Sequence, residues 1–209
     1  MENERKLYFA SQEGKSEEVK RLIYDQMVDV NIELGQDQAT PLIEASKGDH
    51  KEVVQILLNA GADIDRGDKS GCTPLIWAAD HHYYETVKLL LGAGADVNKA
   101  DTIHGKAPLY KVTYVNYSVE VAKLLLEHGA DPNQADKKWG RTPLHNAVVL
   151  YTHVQPQSHV TDMIKTLIKG GADPRRKNIN NNTPMDFANR GVRSWMLQLF
   201  RNDGGVIQG

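Results

Sequence analysis

Cysteine is nearly absent from this chain, since Cys72 is the only one among 209 residues. A single cysteine excludes an internal disulfide and any zinc finger built on several cysteines, and it suits a reducing compartment. Long hydrophobic runs are absent too, because no stretch approaches the roughly 20 apolar residues of a membrane span. The polar start of the chain lacks the apolar segment of a signal peptide. These absences predict an intracellular protein, cytoplasmic, nuclear or both, although a secreted effector stays open.

Neither sign of charge dominates the whole chain. Its 25 Lys and Arg stand against 27 Asp and Glu, which leaves a net charge of −2. This balance argues against a nucleic-acid partner held mainly by counterion release. The balance nevertheless hides a split, because residues 1–104 have a net charge of −8 and residues 105–209 have +6.

Catalytic motifs are also missing. The sequence has no glycine-rich phosphate loop, no Gly-x-Ser-x-Gly and no His-Glu-x-x-His. His153 and His159 are only a weak pair for zinc, and Cys72 is expected to be an exposed thiol at a hairpin tip. We therefore expect no enzyme, no cofactor and no metal. An enzyme or its regulatory part would need a second domain, for which the chain leaves room only if it is a fragment.

What the chain does contain is an internal repeat. A motif of the type Thr-Pro-Leu-x-x-Ala recurs at intervals of 33, 34, 35 and 41 residues. Threonine is a good helix N-cap and proline fits the first helical position, so each copy predicts the start of a short helix. The copies lie at 40–45, 73–78, 107–112, 142–147 and 183–188.

A second motif follows each of the first four copies and predicts the end of a second helix. It contains apolar residues at helical spacing and then Gly-Ala-Asp, as in Leu57 to Asp65. The glycine is expected at the position after the helix, where a positive φ is required. The copies lie at 57–65, 90–98, 125–133 and 167–174. Since neither short helix can bury its apolar face alone, the units must stack as a solenoid.

These two motifs in this order resemble the ankyrin repeat family. The resemblance implies an all-α solenoid of helix-turn-helix units, with β-hairpin-like loops and a concave binding face lined by hairpin tips and first helices. It also implies one domain over 1–209, with degenerate outer repeats as caps and a frayed tail at 203–209. The six repeats would be about 1–35, 36–67, 68–100, 101–135, 136–177 and 178–202.

Comparing the repeats with one another shows which positions vary. The fourth residue after the motif threonine is Glu44, Trp77, Lys111, Asn146 and then Phe187. Because burying unpaired charge is costly, such a mixture predicts a solvent-facing position that can determine specificity. The seventh position varies similarly and lies on the same helix face. The candidate partner-binding residues are Glu44, Lys47, Trp77, Asp80, His81, Lys111, Tyr114, Trp139, Arg141, Asn146 and Tyr151.

The aromatic candidates Trp77, Tyr114 and Trp139 lie on adjacent repeats and are expected to form one patch. Exposed aromatic residues beside charges are typical of binding hot spots. The alternative is that each ring lies over aliphatic neighbours and seals the stack. The fifth repeat also contains an insertion within 148–160, which is either a functional loop or a neutral change of loop length.

The sequence therefore favours a non-enzymatic protein-interaction module, monomeric by itself, that binds neither membrane nor nucleic acid. Its partner would be a protein or extended peptide with complementary charge asymmetry, whose association slows with salt. One alternative is recognition of methyl-lysine or a small ligand by an acidic-aromatic patch. Another is a pathogen effector that uses the same surface on host proteins. Asn98 also resembles the asparagine that is hydroxylated in some ankyrin repeats.

Overall fold

The structure, a computed structural model, describes residues 2–114, 118–151 and 157–188, together with Ser194 and Gln198. It divides into two compact units, an N-terminal unit Met1–Ile103 and a C-terminal unit His104–Gly209. The two units carry net charges of opposite sign. The N-terminal unit has a net charge of −8 and the C-terminal unit has +6.

The N-terminal unit is a stack of three helix pairs. Within each pair the two helices contact each other, and the first helices of successive pairs pack side by side, as do the second helices. This arrangement buries the apolar face of each helix against its neighbours, as the repeat pattern predicts. The helices are α1 Glu2–Gln12, α2 Ser16–Tyr24, α3 Pro41–Lys47, α4 Lys51–Asn59, α5 Pro74–Asp80 and α6 Tyr84–Gly92.

The C-terminal unit repeats the same pairing. Helix α7 (Pro108–Val112) packs on α8 (Val119–Glu127), and α9 (Pro143–Tyr151) packs on α10 (Gln157–Lys169). The last motif copy forms a short 3-10 turn, Pro184–Asp186, which packs against α9. Thr183 and Pro184 start a helical turn here as predicted, but the turn is a 3-10 helix and not an α-helix.

The predicted start of the first helices is confirmed. The side chain of Thr40 accepts a hydrogen bond from the backbone N–H of Ile43, and Thr73 does the same for Ile76, each at 3.2 Å. Each of these helices has proline at its first position. The third copy has Ala107 at the cap, so α7 begins without a side-chain cap.

The predicted glycine at the end of the second helices is confirmed as well. Gly61 follows α4 with φ 85°, and Gly94 follows α6 with φ 93°. Residues with a Cβ rarely adopt this left-handed conformation, so glycine stands where the chain reverses direction.

Hairpin tips connect the repeats within each unit. A β-bridge joins Leu34 and Ala39, and the next tip closes with a hydrogen bond from Asp68 N to Cys72 O. Neighbouring tips are linked by backbone hydrogen bonds, from Lys69 N to Asp37 O and from Lys137 N to His104 O, both 2.7 Å. The backbone polar groups of the tips are thus paired, which holds their side chains at fixed spacing.

The insertion of the fifth repeat is partly helical. Helix α9 continues to Tyr151 and α10 begins at Gln157, so both ends of the 148–160 segment are helical. Its expected position in a loop is wrong for these ends, because apolar residues such as Val148 and Val160 are buried and extend the helices. Residues 152–156 lie outside the described residues, as does the predicted tail at 203–209.

Candidate functional site

Glu44 and Lys47 lie on α3 and form a buried ion pair. The Glu44 carboxylate is 2.8 Å from the Lys47 ammonium, which also lies 3.2 Å from Asp37. Only 5% of Glu44 is exposed, so the prediction that this position faces solvent is wrong here. Its charge is tolerated because Lys47 balances it and the Tyr8 hydroxyl hydrogen-bonds to it. Burial opposes the charge of Lys47, yet the hydrogen bonds and charges of both acids raise the pKa of its ammonium.

Trp77 makes a hydrogen bond and packing contacts within the N-terminal unit. Its indole N–H donates to Asp68 Oδ2 at 3.0 Å, and its ring packs against the cluster of Tyr8, Ala39 and Ile43. The Lys47 ammonium lies 4.6 Å from the ring centroid. These contacts agree with the alternative interpretation, in which the ring seals the stack.

The two other candidates of this unit, Asp80 and His81, lie at the end of α5. The His81 ring nitrogen Nδ1 hydrogen-bonds to the Trp77 carbonyl at 2.9 Å, and the ring stacks on Tyr83 with centroids 5.5 Å apart. His81 is exposed and Asp80 is partly buried. Both are therefore accessible to a partner of this unit.

In the C-terminal unit the variable positions differ in burial. Asn146 is only 5% exposed, and its amide donates to the carbonyl and the hydroxyl of Thr113 at 2.8 and 3.2 Å. Its predicted solvent exposure is wrong, because these hydrogen bonds connect α9 to the end of α7. Lys111 is partly buried. The side chain of Tyr151 lies outside the described residues.

Among the described residues of this unit, the exposed aromatic side chains are Tyr114 and Trp139, at 49% and 42%. Both border a pocket of about 290 Å³ between the hairpin tips and the first helices. The pocket brings together two of the three predicted aromatic residues, whereas Trp77 belongs to the N-terminal unit. Its lining residues are His104, Lys106, Tyr110, Tyr114, Asp136, Lys138, Trp139, Arg141, Asn146 and Val149.

Cations lie over the aromatic rings of this pocket. The Lys106 ammonium is 4.8 Å from the Tyr114 centroid and 5.4 Å from that of Tyr110. Across the pocket, Lys138 and the Arg141 guanidinium lie 5.3 and 5.8 Å from the Trp139 centroid. Each cation–π contact holds a flexible basic side chain close to the pocket wall.

Asp136 is a carboxylate at the base of the pocket and is almost fully buried. One of its oxygens accepts from the backbone N–H of Trp139 at 2.6 Å, and the other accepts from the Tyr110 hydroxyl at 2.9 Å. Burial and the hydrogen bond to Asp136 raise the pKa of Tyr110, so this hydroxyl stays protonated and remains a donor.

Sequence reasoning missed Tyr110 and Asp136 as members of the pocket. Tyr110 occupies a motif position filled by Ile43 and Ile76 in earlier repeats, which predicts a buried residue of the hydrophobic core. The available signal was the aspartate that begins successive hairpin tips: Asp68 accepts from Trp77, as Asp136 does from Tyr110.

His145 connects two hairpin tips of the C-terminal unit. Its Nδ1 accepts from the Thr142 backbone N–H at 3.1 Å, and its Nε2 hydrogen-bonds to the Asn182 carbonyl, also at 3.1 Å. A neutral ring that is protonated at Nε2 satisfies both contacts. Burial lowers the pKa of His145, the charge of Arg141 lowers it further, and the hydrogen bond to Asn182 acts in the opposite direction.

Cys72 is buried, with 7% of its surface exposed, so the expectation of an exposed thiol is wrong. Its backbone N–H donates to Asp68 Oδ1 at 3.0 Å. Across the residues that the structure describes, no group of three or more His, Cys, Asp or Glu side chains is arranged to hold a metal ion. The described helices include none that is both long and apolar enough to cross a bilayer.

Asn98 lies in the turn after α6 and is partly buried. Its backbone N–H donates to Asp96 Oδ1 at 2.9 Å, a contact that shapes the turn itself. Hydroxylation of Asn98 stays a prediction.

Comparison with known proteins places the repeat motifs in a family. A family model described as ankyrin repeats (3 copies) matches residues 7–101 and again residues 97–178. No curated protein matches the chain significantly. The count of six repeats stays a prediction.

Proposed function

Because the chain belongs to the ankyrin repeat family, whose members are generally protein-interaction modules, we propose that it is a non-enzymatic adaptor. It binds a protein or an extended peptide through its hairpin tips and first helices. The observation that supports this function best is the pocket of the C-terminal unit, where Tyr114 and Trp139 are exposed beside Lys106, Lys138 and Arg141.

The backbone around this pocket is tied in place before any partner arrives. The tips are linked by hydrogen bonds from Lys137 N to His104 O and from Ile179 N to Trp139 O. A partner that docks here therefore orders few new groups on this side of the interface, which favours affinity. The burial of Glu44 and Asn146 gives them a supporting role, while Tyr114, Trp139 and Arg141 make the contacts.

The methyl-lysine alternative requires a carboxylate that is available to the ligand, and the candidate carboxylate is already paired. The predicted cage combined Glu44 with Trp77 and Tyr114, but the Glu44 carboxylate is already paired with Lys47 at 2.8 Å. The same ammonium lies over the Trp77 ring, where a methylated lysine would bind. These contacts therefore favour binding through a protein–protein interface over recognition of a methylated lysine in a cage. An effector that acts on host proteins would use the same surface.

The test is affinity purification from a cell lysate with a double variant, Tyr114→Ala with Trp139→Ala. We expect partners recovered by the unmodified protein to fall by about tenfold or more, because aromatic anchors dominate interface energies. The matched control is Tyr24→Ala with Tyr84→Ala, since these two tyrosines of the N-terminal unit are similarly exposed. Equal losses from both double variants would contradict the proposed surface.

A further inference from the structure

The pocket of the C-terminal unit holds more positive than negative charge. Its lining contains Lys106, Lys138 and Arg141 against the single carboxylate of Asp136. Both oxygens of that carboxylate already accept hydrogen bonds, from the Trp139 N–H and the Tyr110 hydroxyl. The lining residues therefore leave a surplus of positive charge at the pocket.

Arg141 is the member of this set with an unsatisfied donor. Its Nε is buried and has no hydrogen-bond partner among the described residues. In the same described ranges, no carboxylate lies within 4.0 Å of either Arg141 or Lys138. A buried guanidinium N–H without an acceptor is costly, and a rotation of the side chain that brings this N–H to a ligand oxygen recovers that cost.

We propose that this pocket receives the carboxylate of an aspartate or glutamate side chain, within an acidic peptide segment of the protein partner. The Arg141 guanidinium binds the carboxylate, and Lys106 and Lys138 flank it on either side. The exposed edges of Tyr114 and Trp139 contact an apolar side chain next to the acid. This assignment rests on the proposed function and adds the chemistry of the partner.

Basic side chains already lie near the aromatic rings of the pocket, which disfavours a cationic ligand. Lys106 lies over Tyr110 and Tyr114, and Lys138 and Arg141 lie near Trp139. A cationic ligand would have to displace one of these side chains and would then meet the remaining positive charge. An anionic ligand meets the cations where they already are.

The overall charge favours an acidic peptide over a nucleic acid. The C-terminal unit has a net charge of +6, but the N-terminal unit has −8, so a long polyanion gains little from the chain as a whole. A short acidic segment needs only the pocket. Its carboxylates are separated by side chains that can pack on the aromatic residues.

The test uses the full chain and two blocked heptapeptides. One contains aspartate and glutamate around a central phenylalanine, and the other has asparagine and glutamine at the same positions. Binding is followed by tryptophan fluorescence and by calorimetry. We expect the acidic peptide to bind at least about tenfold more tightly than its amide twin, because the charge-assisted hydrogen bonds are lost in the twin. A single-stranded oligonucleotide serves as a third probe.

Two variants locate the binding. Arg141→Gln and Lys138→Gln should each weaken binding of the acidic peptide, whereas Lys123→Gln on α8 should not. Lys123 is exposed, belongs to the same unit, lies outside the pocket lining and loses the same unit of charge. Lys138 is exposed and its ammonium lies 5.3 Å from the Trp139 ring centroid, so we expect Lys138→Gln to fold even if Arg141→Gln disturbs the structure.

Three results would overturn the assignment: equal binding of the two peptides, tighter binding of the oligonucleotide, or a Lys123→Gln effect as large as that of Lys138→Gln. The proposed function is tested separately from this assignment, by the affinity purification. If the lysate partner is lost with Tyr114→Ala and Trp139→Ala while the acidic peptide does not bind, the interaction surface stands and only its acidic chemistry is wrong.

Discussion

Residues at one position of the repeat differ in burial although they share a helix face. Glu44 and Asn146 are buried, whereas Trp77 is partly exposed. Each buried polar group has its own partner, Lys47 for Glu44 and Thr113 for Asn146. A variable position is therefore not by itself a solvent-facing position, because a polar residue can be buried wherever its own helix or the neighbouring repeat supplies a partner.

We predict that His145 makes stability depend on pH. Its folded pKa is depressed, so the unfolded chain, which titrates near pH 6.5, binds the proton first and acid favours unfolding. This contribution is complete above about pH 6.5 and is lost as the pH falls toward the folded pKa, by at most about 1.4 kcal/mol per pH unit. Urea unfolding at several pH values should show a steeper dependence in the unmodified chain than in His145→Gln. Equal slopes would contradict the prediction.

A second prediction separates the packed aromatic residue from the exposed one. Trp77→Ala should lower the free energy of unfolding by about 2–3 kcal/mol, because it removes a ring packed on Tyr8 and Ile43. Tyr114→Ala, at an exposed position, should change it by less than about 0.5 kcal/mol. Urea denaturation measures both. If Trp77→Ala does not fold, Trp77→Phe keeps an aromatic ring in the cluster, loses the hydrogen bond to Asp68 and should lower the free energy of unfolding by a smaller amount. Similar losses from Trp77→Ala and Tyr114→Ala would contradict the contrast.

At the scale of the element, helix α7 lacks the side-chain N-cap that α3 and α5 have. Thr40 and Thr73 cap α3 and α5, but α7 begins at Ala107 without a side-chain acceptor. The backbone does not differ, since Ala107 has φ −77° and ψ 165° while Thr73 has φ −76° and ψ 165°. The missing cap is therefore a property of the side chain alone.

We predict that Ala107→Thr stabilises the chain by about 0.5–1 kcal/mol, since its hydroxyl can accept from the first turn of α7. Urea denaturation of the purified protein measures the change. The control is Ala107→Val, which has nearly the same shape but no hydroxyl. If valine stabilises as much as threonine, packing and not capping is responsible.

At the scale of the whole molecule, the two structural units carry net charges of opposite sign. The N-terminal unit, which ends at Ile103, has −8 and the C-terminal unit has +6. A net charge of −2 therefore understates the field near each unit, because −8 and +6 act locally. A partner with complementary charge asymmetry would be attracted by both units.

We predict that association with the partner slows with salt. Between ionic strengths of about 0.01 M and 0.15 M the Debye length falls from about 30 Å to about 8 Å, so long-range attraction is screened while direct contacts persist. Stopped-flow mixing with a recovered partner should show a falling association rate and a nearly constant dissociation rate. An association rate independent of salt would exclude this electrostatic steering.

The helix pairs and their ends follow from short-range patterns of the amino-acid sequence. Proline, threonine caps and the Gly-Ala-Asp turns act within a few residues, so their pattern predicts local structure directly. The apolar positions of the second helices, such as Leu57 and Leu90, are likewise buried as the periodicity indicates. The charge split is also a property of the sequence alone.

Which variable residues are accessible, and which of them meet in one pocket, is set by contacts in the folded chain. Cys72 and Glu44 are both buried; the Glu44 carboxylate has a local partner in Lys47 and also a hydrogen bond to Tyr8 of the first repeat. Tyr110 reaches Asp136, 26 residues away, and so belongs to the pocket that it was not expected to line. Burial of this kind depends on how neighbouring repeats pack, and no local pattern specifies those contacts.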